Sequence, residues 1–191
     1  MPDGQKQAAP QRRASSTPYT AERSLNVTDT EKLYSEDLAV GESWLSDWRE
    51  VTGDDVADFA ELTGDHDPLH TDQGAASPFG EPVAHGLLGL SVLAGLSTTF
   101  PSVATLALVS IAEWKFEAPI FFGDRVQVHT EVEEILPHGR RATRVTWIRK
   151  LLNQDGRVVQ QGRFISLVAT KARAKRRPAE EKAQHGSLPA R

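Results

Sequence analysis

The feature that most constrains this chain is a long stretch without charged side chains. From Pro82 to Ala112 no residue is charged when His85 is neutral, and a stretch of this length could span a bilayer. Pro101 would end a continuous helix, however, and serines and threonines cluster over residues 97–105. The stretch therefore predicts a buried helix followed by a buried strand, and no membrane span.

The residues before and within this stretch predict one strand and two helices. Residues 43–50 alternate loosely, which is typical of a short strand. Thr52 is a helix N-cap candidate, Asp55 stands at the capping-box position three residues later, and Gly64 is a plausible helix end. The central helix is predicted over about residues 85–98, and it should be buried because it is apolar nearly all round.

Beyond Pro101 the sequence alternates as strands do. Turn residues at 123–124, 137–139 and 153–156 divide it into four expected strands, at 106–119, 125–136, 141–152 and 157–169. One long helix against a curled sheet of antiparallel strands, joined by hairpins, is an α+β fold. Such a sheet leaves an exposed edge or face, so we expect a homodimer.

Both ends of the chain differ in composition from its middle. Residues 1–38 contain few large apolar side chains, and residues 171–191 carry seven Lys and Arg against two Glu. Neither segment can bury enough apolar surface to offset its ordering entropy. We therefore predict a disordered N-terminal extension, one folded domain over residues 39–170, and a disordered basic tail.

Charge and cysteine content limit the partners and the compartment. The basic tail contributes +5 to a total of −4, so the remainder carries −9. An acidic body argues against a nucleic-acid-binding core. The N-terminus has no apolar segment typical of a secretory signal, and the absence of cysteine is compatible with a cytoplasmic protein.

The segment TGDHDPLH, residues 63–70, concentrates ionisable side chains just before the uncharged stretch. Pro68 prevents a simple helical continuation, so the segment is a shaped loop or a single tight turn. It could be an ordinary Asp-Pro turn, a metal site, or an acid/base pair. A metal site is disfavoured because the sequence has no second His and Cys cluster and the spacing matches no zinc pattern.

The acid/base interpretation joins two features. Asp65 and His70 flank the rigid Pro68, so their side chains could converge on one water and exchange protons with it near neutral pH. His85 and Gly86 begin the buried helix, where free backbone N–H groups suit a carbonyl oxygen that gains negative charge. A glycine also lets a substrate approach this backbone closely. Together these groups are the minimum set for adding or removing water next to a thioester carbonyl.

TGDHDPLHTD followed by PFGEPVAHGLLGLSVLAGL resembles the signature of the MaoC-like dehydratases, the (R)-specific enoyl-CoA hydratase family. The resemblance covers roughly residues 40–170 and implies the hotdog fold, a long helix wrapped by an antiparallel sheet and normally dimeric. It implies that Asp65 and His70 hold the water that adds to a trans-2-enoyl thioester and gives an (R)-3-hydroxyacyl thioester, or that they catalyse the reverse dehydration. It also implies that the Gly86 N–H binds the thioester carbonyl.

The resemblance extends to further residues of the pocket. His85 precedes the glycine as in the family, and we interpret it as structural. Leu87, Leu90 and Ser91 are candidates for lining the acyl pocket, with core packing as the alternative for the leucines. Asp67 stands where the family most often has Asn, and it adds a negative charge while keeping a turn-capping oxygen. No metal or cofactor is expected, and the substrate is a thioester of CoA or of an acyl carrier protein.

Two other functions remain open from the sequence. A thioesterase on the same fold typically needs a carboxylate on the central helix, and residues 85–98 contain none. A non-catalytic subunit that binds acyl thioesters would have no need of the Asp65 and His70 pair. We therefore predict a hydratase or dehydratase, and the sequence leaves its chain length, carrier and direction open.

Overall fold

The first helix begins and ends where its capping residues predict. The computed structural model describes residues 32–71 and 77–174, and α1 runs over Gly53–Thr63. The Thr52 hydroxyl accepts a hydrogen bond from the Asp55 N–H at 3.1 Å, and the Asp55 carboxylate accepts one from the Thr52 N–H at 2.9 Å. Gly64 ends the helix in the left-handed region with φ 77°, a conformation that glycine adopts without strain.

The predicted central helix is α2, Gly86–Leu96, with His85 as its N-cap. Its buried side packs against the sheet and includes Leu88, Val92 and Leu93. At Gly89 the backbone lies so close to the sheet that an added Cβ would be 2.3 Å from Gln160 Nε2. In the described part of the chain no helix is long and apolar enough to cross a membrane.

Six strands form one antiparallel sheet in the order β1-β4-β5-β6-β3, and β2 also pairs with β4. The predicted hairpins between β4 and β5 and between β5 and β6 are confirmed. A short helix, α3, Lys171–Ala174, follows the last strand. The strands are β1 Ser43–Leu45, β2 Arg49–Glu50, β3 Thr105–Phe116, β4 Arg125–His138, β5 Ala142–Asn153 and β6 Val158–Ala169.

The expected hairpin between β3 and β4 is wrong, because β3 pairs with β6 at the far end of the strand order. The connection after β3 is held elsewhere: the Ile120 carbonyl accepts a hydrogen bond from the Ala84 N–H at 2.8 Å, and Phe121 bridges to Val83. This connection therefore passes next to the start of α2, and it leaves β3 as an edge strand.

The single first strand expected over residues 43–50 is also wrong, since the structure has two short strands there. Between them the Ser46 hydroxyl accepts a hydrogen bond from the Val128 N–H at 2.9 Å, and the Gln127 amide donates to the Ser46 carbonyl at 2.6 Å. Side-chain hydrogen bonds of this kind compete with the regular ladder. They split the edge of the sheet into β1 and β2 without detaching it from β4.

The core lies between α2 and the inner face of the sheet. Trp147 and Phe164 are its largest fully buried side chains, and the Trp147 indole N–H donates to the Ser166 hydroxyl at 2.8 Å. A buried indole is favourable when its N–H has a partner. The smaller members from the sheet are Val126, Val128, Val132, Val145, Leu151, Val159 and Val168.

The folded unit extends beyond both expected boundaries of the domain. Leu33 donates to the Ser102 carbonyl and accepts from the Ala104 N–H, at 2.8 and 2.7 Å, and Leu38 is a buried member of the core. The two leucines give this segment the apolar anchors that its overall composition obscures. The rest of the predicted disordered segments, residues 1–31 and 175–191, lies outside the described residues.

Candidate active site

The sequence folds residues 65–70 into a loop with one tight turn. Asp67 caps a 3-10 turn over Pro68–His70, because its carboxylate accepts a hydrogen bond from the Leu69 N–H at 2.9 Å. Pro68 is suited to the first position of such a turn, where an N–H would have no partner. The predicted capping role of Asp67 is thereby confirmed, and the turn places His70 on the side of the loop that faces α2.

His70 is fixed by the backbone of the segment that leads into α2. Its Nδ1 lies 2.7 Å from the Val83 carbonyl oxygen, and the Val83 N–H donates to the Leu69 carbonyl at 3.2 Å. A carbonyl oxygen can only accept, so in this contact Nδ1 carries the proton. The lone pair on Nε2 of the neutral ring is then left to take a proton.

His85 is buried and supports both members of the predicted acid/base pair. Its Nε2 donates to the Asp65 carbonyl oxygen at 2.9 Å, and its ring stacks on His70 with the centroids 3.8 Å apart. The ring of Phe59 packs on it at 5.1 Å. The structural role expected for His85 is thus visible as contacts, since it orients the Asp65 backbone and the His70 ring together.

The structure brings Asp65, His70 and His85 together. One polar atom from each lies within 4.8 Å of the others, and the Asp65 side chain is about half exposed, at 53%. This separation has room for one water that contacts both the carboxylate and an imidazole. The same three residues are metal-ligand types, and the expectation that they bind no metal stays a prediction.

The start of α2 presents backbone N–H groups beside this cluster. His85 makes no side-chain cap of the helix, and no hydrogen bond from the Gly86 N–H occurs within the described residues. An added Cβ on Gly86 would lie 2.9 Å from the ring of Phe116, so any larger residue here would require this exposed ring to shift. The Gly86 carbonyl accepts a hydrogen bond from Gln160 Nε2 at 3.0 Å, which ties this turn of α2 to β6.

The remaining pocket candidates lie on different sides of α2. Leu87 is 59% exposed, while Leu90 is partly buried against the core. Ser91 is exposed and its hydroxyl donates to the Leu87 carbonyl at 2.8 Å. Ser91 also lines a groove of about 350 Å³ beside Arg49, Gly95 and Thr99. Their roles in binding an acyl chain remain predictions.

Three contributors to the site escaped the sequence analysis. Val83 acts through its backbone carbonyl, for which a sequence carries no signal. Gln160 and Phe116 come from strands far along the chain, and only the register of β6 and β3 brings them to α2. The glycine at position 89 was the available hint, since a helical glycine indicates close backbone contact.

Comparisons with known proteins identify the family of this chain. A family model described as MaoC like domain matches residues 37–153. The chain is 38% identical over 113 residues to 3-hydroxybutyryl-CoA dehydratase of Methylorubrum extorquens, and the aligned region covers 58% of this chain and 70% of that protein. It is 31% identical over 114 residues to (R)-specific enoyl-CoA hydratase of Aeromonas caviae, and the aligned region covers 58% of this chain and 81% of that protein.

Solved structures give the same result for the fold. The MaoC-like dehydratase of Rhodospirillum rubrum superposes with a TM-score of 0.62 at 32% identity, covering 73% of this chain and 98% of that one. A Mycobacterium tuberculosis protein described as having a double hotdog fold superposes with a TM-score of 0.66 at 20% identity, and the superposition covers 73% of this chain and 45% of that one. The predicted hotdog fold is confirmed, and the chain belongs to the MaoC-like domain family.

Proposed function

We propose that this protein is a hydro-lyase that adds water to a 2-enoyl thioester, or removes it from a (R)-3-hydroxyacyl thioester, with CoA or an acyl carrier protein as the thiol. The observation that carries the proposal is the meeting of Asp65 and His70 beside the first turn of α2. Relatives named as a 3-hydroxybutyryl-CoA dehydratase and an (R)-specific enoyl-CoA hydratase support it.

The acid/base pair supplies both proton transfers of the hydration. A water held between Asp65 and His70 gives a proton to one of them as its oxygen bonds to C3 of the enoyl group. The other returns a proton to C2, so the enzyme ends with the protons it began with. His70 Nε2 is suited to this exchange because its Nδ1 is committed to the Val83 carbonyl.

The start of α2 stabilises the charge that this addition creates. Attack at C3 moves electrons towards the thioester carbonyl, which becomes enolate-like. The Gly86 N–H and the positive end of the helix dipole are fixed in place before reaction, which is the condition for effective oxyanion stabilisation. Gln160 holds the Gly86 carbonyl at 3.0 Å and thereby restrains the next peptide of the same helical turn.

The thioesterase alternative lacks its main catalytic group. A nucleophile or base for attack on the carbonyl is expected on the central helix, and α2 carries no acidic side chain over Gly86–Leu96. The polar side chain Ser91 is committed to the Leu87 carbonyl at 2.8 Å. The geometry therefore supports water attack at C3 over attack at the carbonyl carbon.

The proposal includes a homodimer formed through β3. This strand lies at one edge of the sheet, and an exposed apolar edge strand is a site for pairing with another chain. A second copy pairing there would cover both the unpaired backbone and the apolar side chains. The exposed apolar residues of β3 are Leu106, Leu108, Val109, Ile111 and Phe116.

Loss of enoyl-thioester absorbance with 2-enoyl-CoAs tests the catalytic proposal. We expect Asp65→Asn and His70→Gln each to lower kcat by at least about 100-fold, since acid/base catalysis typically contributes this much. Asp58→Asn and His66→Gln are matched controls, because both side chains are exposed and lie outside the cluster. Retention of most turnover in both Asp65→Asn and His70→Gln would contradict the proposal.

A further inference from the structure

A partly buried arginine without an acidic partner lies on the inner face of the sheet. Arg149 on β5 shares this face with Trp147, and its guanidinium carbon is 4.5 Å from the centroid of the Phe164 ring. It makes no ion pair or side-chain hydrogen bond within the described residues, and its Nε is buried without a partner. Burial lowers the pKa of Arg149 to about 10, so the guanidinium stays charged at neutral pH.

Three other buried polar atoms without partners belong to residues at neighbouring positions of the sheet. Thr130, whose Oγ1 is one of them, is the cross-strand partner of Arg149 on β4. On β6 the cross-strand partner of Arg149 is Gly162, and a Cβ added to Gly162 would be 2.6 Å from the ring of Trp114. The second buried polar atom without a partner is Nε1 of this Trp114. The third is Oε1 of Gln160. Buried polar groups are normally hydrogen-bonded, so four such atoms on residues at neighbouring positions of the sheet favour a polar ligand group at this place.

This place lies close to the proposed carbonyl site. Gln160 pairs with Leu151, so Gln160 and Arg149 are diagonal neighbours on one face of the sheet, with Cα atoms about 7–8 Å apart. The Gln160 amide reaches the Gly86 carbonyl at 3.0 Å. A short acyl chain whose carbonyl is bound at the Gly86 N–H could therefore reach the guanidinium with its far end.

The groups around this place are mainly hydrogen-bond donors. Arg149 and the Trp114 indole N–H can only donate, and the Thr130 hydroxyl can donate as well. An arginine fork matches the two oxygens of a carboxylate. A neutral hydrocarbon chain bound here would take water away from the charged guanidinium without giving it a hydrogen-bond partner, which is unfavourable, so such a chain would be a poor occupant of this place.

We infer that Arg149 binds a carboxylate at the far end of the acyl group, so that the preferred substrate is a short 2-enoyl thioester carrying a second, free carboxyl group. This inference rests on the proposed function, because it names the substrate class of the same site. Trp114 and Thr130 contribute further hydrogen bonds to that carboxylate. The chemical step is unchanged, and the second carboxylate serves recognition alone.

The test compares two substrates that differ in one methyl group, which removes the negative charge at the far end. Glutaconyl-CoA is a five-carbon 2-enoyl thioester that ends in a carboxylate, and its methyl ester is the neutral counterpart. We expect kcat/KM to favour glutaconyl-CoA by about 10- to 100-fold in the wild type, and Arg149→Met to abolish or reverse this ratio. Arg149→Lys should keep part of it. Arg144→Met is the matched control, because Arg144 lies on the same strand but is exposed, and it should keep the wild-type ratio.

Binding to Asp65→Asn separates this inference from the proposed function. If the wild type hydrates crotonyl-CoA but does not prefer glutaconyl-CoA over its methyl ester, the inference is overturned and the hydratase function stands. If no 2-enoyl-CoA is hydrated, the Kd values of the two thioesters for Asp65→Asn still decide whether the carboxylate site exists. Tighter binding of glutaconyl-CoA that Arg149→Met removes supports the carboxylate site, and equal Kd values overturn it. Circular dichroism and the oligomeric mass establish that each variant is folded.

Discussion

Two glycines of α2 offer a direct test of how this helix packs on the sheet. Replacing a helical glycine by alanine stabilises a helix by roughly 0.5–1 kcal/mol when the site is open. Gly95 has no atom within 4 Å of an added Cβ, whereas an added Cβ at Gly89 would lie 2.3 Å from Gln160 Nε2 and 2.7 Å from Ile120 Cδ1. The helix-propensity gain is the same at both positions, so the difference between the two variants measures the packing.

The expected difference follows from the contacts around Gly89. Overpacking a filled core costs about 1–3 kcal/mol, and displacing the Gln160 amide also loses its hydrogen bond to the Gly86 carbonyl, which is worth about 0.5–1.5 kcal/mol. We expect Gly95→Ala to be more stable than the wild type, and Gly89→Ala to be less stable than Gly95→Ala by about 1.5–4.5 kcal/mol.

Urea unfolding followed by tryptophan fluorescence would measure these differences through the midpoint at constant m. A double-mutant cycle assigns the cause: in a Gln160→Ala background the same Gly89→Ala change should cost clearly less, because one of the two clashing groups is gone. Equal stabilities of Gly89→Ala and Gly95→Ala would refute the close approach of α2 to β6. So would the same cost of Gly89→Ala in both backgrounds.

Four further changes have defined outcomes. Thr52→Ala should destabilise the protein by about 1 kcal/mol and Thr52→Ser by much less, measured by urea unfolding, since only alanine removes the cap. Trp147→Phe should cost about 1–3 kcal/mol in the same assay, because it leaves the buried Ser166 hydroxyl without its indole donor. The hydrogen bond from Arg163 lowers the pKa of Glu133 from 4.5, so the stability that the ionised carboxylate gives is present above that pH and is lost as the pH falls through the folded-state pKa. The melting temperature should therefore fall less steeply from about pH 6 to pH 3 for Glu133→Gln than for the wild type. Identical pH profiles of the two proteins would contradict this. Leu108→Asp on β3 should halve the mass found by light scattering, while Leu136→Asp, on an exposed site of β4, should leave it unchanged.

The local elements of the fold could be predicted because their signals are local. The capping box at Thr52, the left-handed glycine at position 64 and the strand alternation each depend on neighbouring residues, and all agree with the structure. The pairing of β3 with β6 could not be predicted in this way. Strand alternation specifies which side chains face the core, but it does not specify which strand is the neighbour, and a turn at Gly123 was compatible with either partner.

The candidate site divides in the same way. Asp65, His70 and Gly86 were expected from two short motifs, each within one segment of chain, and the structure brings both segments together. Gln160 and Arg149 were not expected, because each is one polar residue inside an ordinary alternating strand. The contact of Gln160 with α2 and the position of Arg149 beside Gln160 depend on the register of β5 and β6, which becomes visible only when the sheet is assembled.

Two hydrogen bonds to backbone carbonyls determine how the two histidines of the site differ in chemistry. The Val83 carbonyl holds a proton on Nδ1 of His70, and the Asp65 carbonyl holds one on Nε2 of His85. The remaining nitrogen of His85 is buried without a partner, whereas His70 is only partly buried. In the proposed reaction, a proton from a bound water can therefore reach His70 but not His85. We propose that the two backbone carbonyls select His70 as the histidine that exchanges protons, and that His85 serves this exchange by holding the His70 ring and the Asp65 backbone in place.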